Sequence, residues 1–111
     1  MTDPAAPLFA QLDQYRTAAD LLTAQVRATA QARAAHERAA DLLADARLFA
    51  ESTMASRADV RRHTDEQEQE HRSARACYRL SDAELEAARV AERYHREALI
   101  THRVVYQRQD A

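Results

Sequence analysis

From Leu8 the apolar residues recur at Leu12, Tyr15, Ala19, Leu22 and Val26, in alternating steps of four and three. That spacing returns to one side of a helix and predicts an amphipathic α-helix. Pro7 suits its first turn, where a missing N–H costs nothing. Residues 28–40 are mostly Ala with Arg and mark no side. A second run follows through Ala35, Ala39, Leu42, Ala46 and Phe49, with Leu43, Ala50 and Met54 beside it. At about 100° per residue on a straight helix, Leu42 and Ala46 fall roughly opposite Val26. No Gly or Pro interrupts the stretch. The pattern therefore predicts one unbroken helix over about 7–52, preceded by a tail at 1–6, presenting two faces to two neighbours.

A turn is predicted between Ser52 and Asp59. Ser52, Thr53 and Ser56 are cap formers, and Ser56-Arg-Ala-Asp59 resembles a capping box with Asp in place of Glu. Residues 57–73 then have Val60 as their one large apolar residue. Pairs four apart, Arg61 with Asp65, Arg62 with Glu66 and Glu68 with Arg72, fit a solvated helix. Ser81-Asp-Ala-Glu84 is a second capping box, set before another apolar run. It either starts a third helix, breaking the second arm at 79–82, or lies inside one helix over about 57–109. The run continues through Leu85, Ala88, Ala91, Tyr94, Leu99, Val105 and Tyr106, with Ala98 between.

Composition sharpens this picture. The chain has 111 residues and no Gly, and its only prolines are Pro4 and Pro7. Ala supplies 26 residues, whereas Leu, Ile, Val and Phe together supply 18. An Ala side chain buries little apolar area. The inventory therefore predicts a narrow seam between close helices instead of a wide core. The fold class expected is all-α: an elongated antiparallel hairpin or coiled coil in a single helical domain, completed by oligomerisation. Expected interface positions are Leu8, Leu12, Tyr15, Leu22, Val26, Leu42, Leu43, Phe49 and Met54 on the first arm. On the second they are Leu85, Tyr94, Leu99 and Val105.

The net charge of −2 gives no general pull toward nucleic acid or anionic membrane. Cys77 is alone, so no disulfide forms within the chain; a reducing compartment or an intermolecular bond is consistent with it. No stretch is apolar enough to span a bilayer. Met1 to Ala10 carry no basic residue and no long apolar run, against a cleaved export signal.

Chemistry-bearing patterns are few. Without Gly there is no nucleophile elbow, phosphate loop or dinucleotide fingerprint. Arg75 and Arg79 near Cys77 would favour a thiolate, but no His–acid arrangement accompanies them. The chain reads as non-enzymatic, with no cofactor and no metal. Two Glu-x-x-His pairs, Glu68–His71 and Glu92–His95, carry the alternative of a ferritin-like metal-binding subunit. On a helix that spacing sets a carboxylate and an imidazole on one face. His95 and His102, one heptad apart, sit where an acid-sensitive interface would need them. Arg57, Arg61 and Arg62, then Arg72, Arg75 and Arg79, carry a nucleic-acid-associated alternative. Asp65, Glu66, Glu68 and Glu70 interrupt them and aromatics for stacking are scarce.

The C-terminal Tyr106-Gln-Arg-Gln-Asp110 resembles the Tyr-x-x-x-Asp/Glu tail of type VII secretion substrates. The resemblance extends to length, helical pattern and the want of a cleaved signal. It implies a paired helical hairpin with Tyr106 and Asp110 as an export signal. The family's Trp-x-Gly turn has no counterpart here, because the chain has neither residue. The function expected is helix–helix packing with itself or a protein partner, in a secretion-associated hairpin or in a bacterial or phage assembly. The compartment expected is the cytoplasm, the exterior without a cleaved signal, or a phage virion.

Overall fold

The computed structural model describes residues 5–53 and 56–110, the last of these by its backbone alone. Met54 and the side chain of Asp110 lie outside the described residues, as do residues 1–4 of the expected tail. Two helices account for the fold: α1, Ala6–Thr53, and α2, Arg57–Asp110. They form an antiparallel helical hairpin. Among the described residues there is no strand, no cis peptide bond and no positive φ.

The local chemistry of the turn accounts for both helix ends near it. At the close of α1, the Ser52 and Thr53 hydroxyls donate back to the Phe49 carbonyl at 2.9 and 2.7 Å, a local side-chain bond that competes with continuing the helix. At the start of α2, the Asp59 N–H donates to Ser56 Oγ at 3.2 Å, while Ser56 Oγ donates to Asp59 Oδ2 at 2.8 Å. This is the predicted N-cap. Asp59 in the first turn and Arg108 in the last complement the helix dipole.

The second capping box does not act as one. α2 runs unbroken through 79–82, and Ser81 faces α1 instead of capping a new helix. Nor do the polar residues of 57–73 settle on the spacing expected. Arg62 pairs with Asp59, and Glu68 with Arg47 of the other helix.

The contacts divide the chain into two units, Met1–Arg27 with Ala83–Ala111, and Ala28–Asp82. The second unit contains the turn. There Thr29 meets Ser81, His36 meets His71 and Tyr78, Arg47 meets Glu68 and Phe49 meets His63. Positions climb along α1 as they fall along α2, so the arms are antiparallel. In the first unit, Ala18 and Leu21 line a groove with Ala88 and Ala91, while Leu8 and Leu12 line another with Leu99 and Tyr106.

The inward positions keep a seven-residue step. On α1 they are Leu8, Tyr15 and Leu22 in the first unit and Thr29, His36, Leu43 and Ala50 in the second. On α2 they are Thr64, His71 and Tyr78 in the second unit, then Leu85, Glu92, Leu99 and Tyr106 in the first. All are buried or half-buried. Val26, Leu42 and Phe49 stay exposed off this line, so α1 keeps apolar residues turned away from α2 as well as toward it. A straight helix drifts about 20° per heptad. Five heptads separate Leu8 from Leu43, so a straight projection sets them about 100° apart although both face α2.

Candidate interaction surface

The seam between the helices is thin and mixes apolar with polar residues. Ala18, Leu43, Ala50 and Leu85 are its buried apolar residues, and Thr29 and Thr64 are buried beside them. Among the described residues no large side chain is fully buried. Thr29 Oγ1 donates to the Ser81 carbonyl at 3.1 Å and lies 2.9 Å from Ser81 Oγ. Thr64 Oγ1 turns back to the Val60 carbonyl at 2.9 Å. The His36 ring stacks on His71 at 5.1 Å and on Tyr78 at 5.8 Å between centroids. Among the described residues, Gln11 Oε1, Gln67 Oε1 and His95 Nδ1 are buried with no hydrogen-bond partner.

The seam thus gathers residues that carry hydrogen bonds and ring contacts but little apolar area. At about 25 cal/mol per Å² such a seam gains modestly from burial. Many of the large apolar side chains lie outside it. Phe9, Leu21, Val26, Leu42, Leu48 and Phe49 on α1 are exposed, as are Leu80, Val90, Tyr94, Ile100, Val104 and Val105 on α2.

The expected interface positions are therefore divided. Leu43 and Leu85 are buried, and Leu8, Leu12, Tyr15, Leu22 and Leu99 are half-buried in the seam. Val26, Leu42, Phe49, Tyr94 and Val105 are exposed. Periodicity missed several inward residues because they are polar: Thr29, His36, Thr64, His71 and Glu92 all sit on the seven-residue step. The signal was present in the spacing of Tyr78, Leu85, Leu99 and Tyr106, which fixes the step and points to the polar positions between and before them.

The Glu-x-x-His pairs fall in different units, Glu68 and His71 in one and Glu92 and His95 in the other. Glu68 accepts a 2.9 Å hydrogen bond from Arg47, which holds its carboxyl below the ordinary value of 4.5. Glu92 lies 3.8 Å from Arg96. No group of three His, Cys, Asp or Glu side chains among the described residues is placed to hold a metal ion. Cys77 is exposed. Tyr106 is half-buried and lines the groove with Leu8 and Leu12.

Outside the seam, the first unit presents two unlike sides. One side of α2 carries Arg89, Arg93, Arg96 and Arg103, all exposed. Phe9, Leu12, Leu99 and Tyr106 form an open groove of about 390 Å³ at its end, with Arg103 and Gln107. On the other side lies a second groove of about 390 Å³. Ala18, Leu21, Ala88 and Ala91 give it an apolar lining, and Asp13 and His95 are its titratable neighbours. No helix among the described residues is long and apolar enough to cross a membrane. No family model, characterised protein or solved structure matches the chain.

Proposed function

We propose that this chain is a non-enzymatic interaction protein that works by coiled-coil-like packing of its helices against a second protein surface, its own copy or a partner. One observation carries this reading. Among the described residues, twelve large apolar side chains stand exposed on the outer surfaces, whereas Leu43 and Leu85 are the only ones buried in the seam. A helix pair that turns many apolar side chains outward gains further burial on association. The heptad step at the seam fits the same mode, because side chains seven apart interlock along helices of this length. Two settings suit such a hairpin: a secretion-associated role, for which Tyr106 and Asp110 are the candidate signal, and a subunit of a larger bacterial or phage assembly.

Thermal unfolding of the purified chain over a hundredfold range of concentration tests the proposal. A broad, low transition that sharpens and rises with concentration, or with a partner, is the expected result. A sharp, high and concentration-independent transition from a monomer would overturn it. Removing residues 107–111 and following export tests the secretion setting, which fails if export is unchanged.

A further inference from the structure

One stripe on the first unit is complementary to itself. Along α2 it runs from Glu84 through Ala91, Tyr94 and Ala98 to Val105 and Arg108, with Ala87 and Thr101 in the same steps of three and four. It lies on the side of α2 that lines the Leu21–Ala91 groove, away from Arg89, Arg93 and Arg96. Ala98 is half-buried and the others are exposed, Tyr94 most notably at 66 %. Between Glu84 and Arg108 the stripe carries no charge, although 31 % of the chain's residues are charged.

We propose that a second copy of this chain covers the stripe, through antiparallel packing of α2 on α2 about a twofold axis near position 96. The inference rests on the association reading above and names its partner. In that arrangement Tyr94 faces Ala98 of the other copy, Val105 faces Ala87 and Ala91 faces Thr101. Each large side chain meets a small one, as interlocking helices require. Glu84 faces Arg108, so the two charges that bound the stripe are paired at both ends. An isologous interface needs this self-complementarity, in which each residue's partner answers it across the axis.

The other side of the unit fails the same test. There Arg89 would face Arg103 and Arg96 would face Arg96 of a second copy, a repulsive juxtaposition. A strongly charged partner has little to recognise on the chosen stripe, and its Ala and Thr residues offer little for insertion into a bilayer. The size also suffices. About 25 residues at 1.5 Å rise give a stripe of about 37 Å, and with the adjoining flank of α1 a width of about 20 Å. Two copies then bury about 1,400 Å², within the usual range of about 1,200–2,000 Å² for stable complexes.

Light scattering and sedimentation of the full chain, with helix content followed by circular dichroism, test the pairing. The expected mass is twice the chain's 12.6 kDa. Ala91→Arg should weaken the dimer by about a hundredfold or more, because it sets unpaired charge in the middle of the interface. Arg93→Glu, on the opposite side, should leave the dimer intact. Glu84→Arg should weaken it about fivefold, as like charges meet at both ends, and adding Arg108→Glu should restore it. All four substitutions are at exposed positions, so helix content should hold. A dimer indifferent to Ala91→Arg, or a charge swap without rescue, overturns this interface while leaving association itself in place. A poorly folded monomer stabilised by a different protein also overturns it without harming the broader proposal. A sharply folded, concentration-independent monomer overturns both.

Discussion

At the scale of single residues, this hairpin depends on polar groups in places where most helix pairs put Leu. Gln67 shows the cost, since its Oε1 is buried without a partner. An unmade buried hydrogen bond costs about 1–3 kcal/mol. Gln67→Leu is accordingly expected to stabilise the chain by about 1 kcal/mol, read as a higher urea midpoint; a lower midpoint would show that the amide has a role in the seam. Glu68 illustrates the opposite case. The Arg47 hydrogen bond lowers its pKa in the folded state. A lowered carboxylate contributes stability that is fully present above its unfolded value and fades as pH falls through the folded one. Acid below about pH 4.5 should therefore loosen the Arg47–Glu68 contact. Glu68→Gln should flatten this part of the stability–pH curve, and a curve unchanged by the substitution would remove the pair from the argument. The pair is exposed to solvent, so high salt should shrink the effect.

At the scale of the elements, the sequence announces helices more clearly than it announces how they meet. Past Pro7 there is no Gly or Pro, and Ser56 to Asp59 marks the start of α2, so both arms and the turn are legible. Ser56→Ala should fray the first turn of α2 and cost about 1 kcal/mol. Hydrogen exchange confined to the first residues of α2 would show it, and unaltered exchange there would rule out the cap. The seam is harder to read because its contrast is low. Ala occurs on every side of α1, so burial of Ala18 or Ala50 leaves no mark in a hydropathy pattern. Thr29, His36, Thr64 and Glu92 look like solvated residues until the step of seven is counted through them. A straight-helix projection then misplaces them further, by about 20° in each heptad. The second box at Ser81–Glu84 misleads for a related reason. Ser81 has the chemistry of a cap, but its hydroxyl is committed to Thr29. Only the opposite arm reveals that choice.

At the scale of the whole molecule, the division of labour between seam and surface implies that stability and association trade against one another. The His36–His71 layer is where this can be altered most simply. Both rings are half-buried, and they stack at 5.1 Å with Tyr78 beside them. Replacing both by Leu puts aliphatic side chains at two facing heptad positions. Full burial of a Leu is worth about 1.5–3 kcal/mol, so two half-buried ones should add about 2 kcal/mol. The midpoint of unfolding of the His36→Leu/His71→Leu chain should rise, and its dependence on concentration should shrink as the lone hairpin becomes more self-sufficient. The proposed dimer stripe from Glu84 to Arg108 is untouched, so the association constant measured between folded chains should stay within about twofold, as expected for sites that share no contacts. A lower midpoint would mean that the stacked rings specify the packing better than Leu does. A midpoint that rises while concentration dependence persists unchanged would mean that the thin seam is not what drives the chain to associate.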